Sequence, residues 1–153
     1  MRTRLLLPLL LTIACASLIP ANALRELFGV RIGMSKAATH EKLSANGTMV
    51  REERKRQEAW QLRDERYEGA IVGYDREWRV RFITAVVRND AHVRYADVLD
   101  VAAAKHQSTG TSHTYTWRPP HARYSIIAIG TDADTVKYVT LTRGADEEEE
   151  EEE

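Results

Sequence analysis

Short runs in which apolar and polar residues alternate dominate the chain between residues 58 and 143, and two stretches show helical spacing instead. The alternation predicts strands over Glu58–Arg63, Ala70–Tyr74 and Trp78–Arg88, and again over His113–Arg118, Tyr124–Ile129 and Val136–Arg143. Turn-forming clusters separate them: Asp75-Arg76-Glu77, Pro119-Pro120 and Thr131-Asp132-Ala133-Asp134. The first predicted helix runs from Lys36 to about Ala45, with Ser35 as N-cap and Asn46-Gly47 as a left-handed stop. A second is predicted from Tyr95 to His106, where Tyr95, Val98, Leu99 and Ala102 share a helical face. Asp97 and Asp100 suit its first turns, Lys105 and His106 its last, and Gly110 closes the round. The charged stretch Arg51 to Gln57 fits a loop, a frayed helix end or the start of the first strand.

The order α-β-β-β therefore occurs twice. It predicts an α+β fold of tandem αβββ units, an antiparallel sheet with helices packed on one face. Val80-Arg81-Phe82-Ile83-Thr84 is echoed by Val136-Lys137-Tyr138-Val139-Thr140, and Ile71-Val72-Gly73-Tyr74-Asp75 by Ala128-Ile129-Gly130-Thr131-Asp132. Trp60 and Trp117 take corresponding places in a preceding strand. A first unit over 24–90 and a second over 91–145 result, related by a suspected duplication. One continuous sheet and two packed halves both satisfy this pattern.

The strongest hydrophobicity lies outside these units. Arg2 and Arg4 precede an apolar run from Leu5 to Ile19, and Ala21-Asn22-Ala23 supplies small residues for cleavage, so residues 1–23 read as a secretory signal peptide cut after Ala23. The run is shorter than the ~20 residues of a membrane-spanning helix. The expected mature protein is periplasmic or secreted, without a membrane span. Cys15, the sole cysteine, lies in this leader, which leaves the mature chain without disulfides or thiolate ligands. An alternative is lipidation at Cys15, but Thr12 and Ile13 stand where lipoprotein signals carry Leu and a small residue.

Charge is split along the chain. Residues 24–145 hold 20 Lys and Arg against 15 Asp and Glu, whereas Asp146 to Glu153 are all acidic. A self-repelling run with no apolar residues reads as a disordered acidic tail over 146–153.

Ile32-Gly33-Met34-Ser35-Lys36, opening a helix ahead of a three-stranded meander in an exported protein, resembles the SmpA/OmlA-type (BamE-like) outer-membrane assembly lipoproteins. The doubled αβββ arrangement is similar to β-lactamase-inhibitor-protein-like architecture, in which two such units share one curved sheet. The resemblance implies that fold and a role in envelope assembly. Gly lets the chain turn, Met packs over the first helical turn and Ser caps it. Ala45-Asn46-Gly47 replaces the Leu-Gly-x-Pro-like stop usual in those families.

Candidate chemistry is sparse. The sequence holds no Gly-x-Ser-x-Gly elbow or Gly-rich phosphate loop, and His40-Glu41 lacks the second His of a His-Glu-x-x-His site. The expectation is a non-enzymatic protein with no catalytic residues, no metal and no cofactor. Asp132 and Asp134 read as turn formers rather than a calcium loop. A rival reading is an exported hydrolase or metal-dependent enzyme built on His113 and His121 across a hairpin. Another is a structural accessory without a discrete site.

A binding surface is easier to place. Alternation sets Trp78, Val80, Phe82, Thr84 and Val86 on one face of the third strand, and Arg79, Arg81, Ile83, Ala85 and Val87 on the other. With the first set against the helices, the other face shows aliphatic residues ringed by Arg79, Arg81, Lys137 and Arg143, with Trp78 the tryptophan expected to be exposed. Such a patch suits an envelope or secreted protein with acidic rims, or an anionic envelope polymer. Nucleic acid is excluded as a partner by export, dispersed arginines and the lack of any recognised module. The expected function is a protein-binding or envelope-assembly module.

Overall fold

The computed structural model describes residues 24–53 and 56–144. The leader with Ala23 and Cys15, and the acidic tail, lie outside the described residues. One helix is capped as the sequence predicts. Ser35 Oγ accepts the Ala38 N–H at 3.4 Å, Gly33 supplies the preceding turn at φ 81°, and α1 (Lys36–Asn46) comes next, burying Thr39 and Leu43. Its exit differs from expectation. Gly47 is extended, not left-handed, and leads straight into β1 (Gly47–Glu53). A side chain there would collide with the Gln61 carbonyl, so this glycine permits close strand approach rather than a helix stop.

Seven further strands follow among the described residues: β2 (Gln57–Leu62), β3 (Tyr67–Tyr74), β4 (Val80–Val87), β5 (Lys105–Thr109), β6 (Ser112–Trp117), β7 (Tyr124–Gly130) and β8 (Tyr138–Arg143). All pair antiparallel in one sheet of order β1-β2-β3-β4-β8-β7-β6-β5. Two four-stranded meanders thus meet along β4 and β8, where Thr84 lies opposite Thr140 and their hydroxyls are 2.9 Å apart. With 49% strand and 12% helix the fold is mostly β, which corrects the expected α+β class of tandem αβββ units.

The correction has two sources. The predicted helix Tyr95–His106 is only a 3-10 turn, Tyr95–Asp97. Its apolar residues Tyr95, Val98 and Leu99 are buried as their spacing suggests. The Asp100 carboxylate then accepts the N–H groups of Ala102 and Ala103 at 3.1 and 3.3 Å, a side-chain-to-backbone bond that competes with helix. Lys105–Thr109 instead satisfies its backbone by pairing with β6. The second source is β1, which draws Arg51, Glu52 and Glu53 of the charged stretch into a sheet edge.

The core lies on one face of this sheet. Val72, Ile83, Val139, Leu141, Ile126 and Ala128 point into it and are buried. Leu43 of α1 covers it, with Leu27 and Val30 before the helix and Val93, Val98 and Leu99 after β4. Burying a side chain of this size contributes about 1.5–3 kcal/mol, so this layer supplies most of the cohesion of a domain without disulfides.

Register also corrects the internal match. Val72 and Ala128 both point into the core, whereas the Gly-x-Asp match pairs Ile71, half-buried opposite Thr84, with buried Ala128. A one-residue slip moves every side chain to the other face, so that pairing sets an outward residue of β3 against an inward residue of β7.

Candidate functional site

The β3–β4 turn carries the best concentration of chemistry. Asp75 is buried, and its Oδ1 accepts the backbone N–H groups of Glu77 and Arg79 at 3.1 and 2.8 Å. Its Oδ2 accepts from the Arg143 guanidinium at 2.6 Å. Burial pushes this carboxyl up, but the Arg79 N–H and Arg143 hold it below the usual range. So tied, the turn places Trp78 at φ 58°, a left-handed conformation unusual for a tryptophan, with the residue 41% exposed. The Lys36 ammonium lies 4.5 Å above that ring and the Arg56 guanidinium 5.8 Å away.

Lys36 links this corner to a buried carboxylate. Glu58 is 2% exposed, and Lys36 Nζ lies 2.8 Å from its Oε1. His40 Nε2 is 2.9 and 2.8 Å from its two oxygens, and the Tyr74 hydroxyl donates to Oε2 at 2.9 Å. Burial raises the Glu58 pKa, but the bonds from Lys36, His40 and Tyr74 together hold it below normal. Burial and the adjacent carboxylate push the Tyr74 hydroxyl well above its ordinary value. Lysine, histidine, glutamate and tyrosine could serve acid–base chemistry, yet here each is tied up with Glu58. The cluster holds α1 against β2 and β3. His40 also meets Trp60 edge to face at 5.3 Å, beside the buried Trp60 Nε1, which lacks a hydrogen-bond acceptor.

The five residues expected at a binding surface divide. Trp78, Arg79 and Arg81 gather at the start of β4, and Arg79 Nη1 donates to the Gly33 carbonyl at 3.2 Å. Arg143, at the same end, is 11% exposed and tied to Asp75, so it braces the turn. Lys137 is bonded through its carbonyl to Val87, at the far end of β4, roughly 20 Å from Arg81 at ~3.3 Å per residue.

The expected face is reversed. Ile83, Ala85 and Val87 are buried in the core, while Phe82, Thr84 and Val86 are half-exposed on the opposite face. The reason is local: Tyr74 pairs with Val80 and Gly73 with Phe82, which leaves Arg81 as an extra residue in a bulge. Val80 and Ile83 can then both point inward, a pattern that strict alternation does not allow. Arg81 is exposed, its guanidinium 6.0 Å from the Phe82 ring.

No described element lies over this second face. Ile71, Phe82, Val86, Ile127 and Ile129 are half-exposed on it and Tyr138 is 47% exposed, interleaved with Thr84, Thr140 and Thr142. It runs across both meanders.

The histidines fall differently from the rival enzymatic reading. His113 sits at the start of β6 and His121 in the loop beyond its end, so the strand separates them. His113 instead faces His106 of β5, Nδ1 to Nε2 at 3.3 Å. Asp132 is a turn former: its carboxylate accepts from the Asp134 N–H at 2.9 Å and from Thr135 N–H and hydroxyl at 2.6 Å each. Chiefly the Thr135 bonds draw its pKa down to about 2. Among the described residues no group of three or more His, Cys, Asp or Glu side chains is placed to hold a metal. None of their helices is long and apolar enough to cross a membrane.

Sequence reasoning missed Lys36, His40, Glu58 and Tyr74. A signal existed: Glu58 shares the inward phase of Trp60 and Leu62, a carboxylate where alternation demands an apolar residue.

No family model, curated protein or solved structure matches the chain. Within the segment that carries the resemblance to outer-membrane assembly lipoproteins, Gly33 turns the chain, Met34 packs against the core and Ser35 caps α1; these comparisons do not bear on that resemblance.

Proposed function

We propose that this protein is an exported, non-enzymatic protein-binding module of the cell envelope, periplasmic or secreted, that engages an acidic protein partner through the uncovered sheet face and the basic corner beside it. One observation carries the reading: an eight-stranded sheet with a helix and loops over one face and no described cover over the other, where Phe82, Ile127, Ile129 and Tyr138 stay partly exposed. Isolated exposed apolar residues need no explanation, but a contiguous set on a rigid sheet is a form that protein interfaces take. Arg81 lies at the start of β4 beside it, and Arg76 and Arg79 are exposed on the adjoining Trp78 turn, Arg79 reaching back to the Gly33 carbonyl, with Glu77 the exposed acidic residue among them. Aromatic and arginine side chains of this kind anchor interfaces, and the excess of positive charge favours an acidic partner.

The envelope-assembly role and the duplication belong to the same proposal. Thr84 and Thr140, equivalent in the repeated segments, face each other across the central strand pair, the arrangement that two copies joined by a two-fold relation produce. The test is co-purification from native envelopes with the wild-type chain, the Arg79→Glu/Arg81→Glu variant and the Tyr138→Asp variant. A partner retained by the wild type and lost from both variants supports the proposal. A partner set unchanged in both overturns it.

A further inference from the structure

We infer that His106 and His113 form a chelating site for a borderline transition-metal ion such as Zn(II) or Cu(II), separate from the proposed docking face. The two residues stand on neighbouring strands. Pairing of His106 with Tyr115 and of Ser108 with His113 sets the histidines diagonally across the β5–β6 hairpin, on the same side of the sheet. His106 Nε2 and His113 Nδ1 approach to 3.3 Å, and the ring planes lie within 7° of parallel. Near-parallel rings with centroids 5.5 Å apart are offset from each other and approach most closely through these nitrogens.

The spacing suits a metal. A tetrahedral ion bound at ~2.0–2.1 Å by two imidazoles separates their nitrogens by about 3.3 Å. That value lies beyond the ~2.7–3.2 Å range of good N–H hydrogen bonds. A modest swing of both rings turns their lone pairs onto one point; each imidazole binds as the neutral form, with its N–H on the ring nitrogen facing away from the ion.

Two features prepare the site. The His106 ring lies against Tyr115 at 4.3 Å and 18°, which limits its rotamers. The hairpin is short, turned by Gly110 at φ 60°, so the two ligands are brought together by the fold rather than by the ion. Imidazole selects zinc, copper and nickel over calcium or magnesium. Two protein ligands leave the remaining positions to water or to a donor from a bound molecule, so the site is expected to exchange its ion readily.

The experiment is a Zn(II) titration of tag-free protein by calorimetry, repeated with His106→Gln, His113→Gln and, as a control on another exposed histidine, His92→Gln. Circular dichroism confirms that each variant retains its sheet. The expected result is one equivalent bound by the wild type and by His92→Gln, with affinity at least about tenfold weaker in each of the other two. Wild-type affinity in His106→Gln or His113→Gln would overturn the inference, as would zinc affinity in the unaltered protein equal to that of a variant carrying both substitutions. Binding by the acidic tail alone would persist in every variant and is thereby distinguished.

Discussion

Glu58→Gln is the substitution most sensitive to how α1 is held. The change preserves shape and removes one charge. It replaces a carboxylate receiving Lys36, His40 and Tyr74 by an amide that offers one oxygen and points two N–H donors at the same groups. Hydrogen bonds to charged groups contribute about 1.5–3 kcal/mol each, and breaking a buried ion pair costs about 3–5 kcal/mol. Here the loss is smaller, because Lys36 and His40 are 30% and 35% exposed and regain water. The buried carboxylate's own desolvation cost is also relieved. A net destabilisation of about 2–3 kcal/mol is expected, in a fold where α1 otherwise buries only Thr39 and Leu43. The assay is urea unfolding followed by tryptophan fluorescence, read as a lower midpoint at unchanged slope. The pH dependence checks the cause. The Glu58 pKa is depressed in the folded state, so its contribution is full above its ordinary value of 4.5 and is lost as pH falls through the folded value. The gap between wild type and Glu58→Gln should therefore close in acid. A difference below about 0.5 kcal/mol at pH 7, or one that persists unchanged at pH 3, would refute the reasoning.

Three further outcomes rest on the same structure. Gly130→Ala should destabilise more than Gly73→Ala in thermal unfolding, since a Cβ at 130 meets the Thr135 backbone, whereas one at 73 meets only the movable Phe82 ring. A reversed order would mean that strand β3 is the less yielding of the two. Asp75→Asn should cost about 2–3 kcal/mol, because it leaves the mostly buried Arg143 without its carboxylate, and Trp78 emission should change as the turn loosens; an unaffected midpoint would count against the brace. Stability should also fall as pH rises above 10. The hydroxyls of Tyr74, raised by burial and Glu58, and Tyr95, pushed up to about 12 by burial, bind protons more tightly when folded, and their contribution is lost once the unfolded chain ionises. A flat alkaline limb to pH 11.5 would contradict this.

Much of the sheet is legible in the residues. Gln57–Leu62, Tyr124–Gly130 and Ser112–Trp117 fall within a residue or so of the ranges that alternation predicts, because each must present one apolar face to a core. The two strands that alternation does not find, β1 and β5, are the sheet's edges. Lys105–Thr109 is exposed at every position, and Thr48, Met49, Val50 and Arg51 of β1 are exposed too, so backbone pairing rather than burial makes them strands. The false helix after Tyr95 has the opposite cause: its apolar residues do turn inward, but Asp100 ends the turn before a helix can propagate. The binding face is misplaced by one extra residue, Arg81, since a bulge inverts the phase of every later position in its strand. Glu58 was legible only as a violation, an inward charge whose partners arrive from α1 and β3.

Crosslinking decides whether the uncovered sheet face is where a partner docks. A photoreactive residue at Tyr138, on that face, is compared in native envelopes with one at Lys42, exposed on α1. Docking on that face gives a discrete protein adduct from Tyr138 that diminishes when Arg79 and Arg81 are reversed, and none from Lys42. An adduct from Lys42 alone, or equal adducts from both, would contradict it.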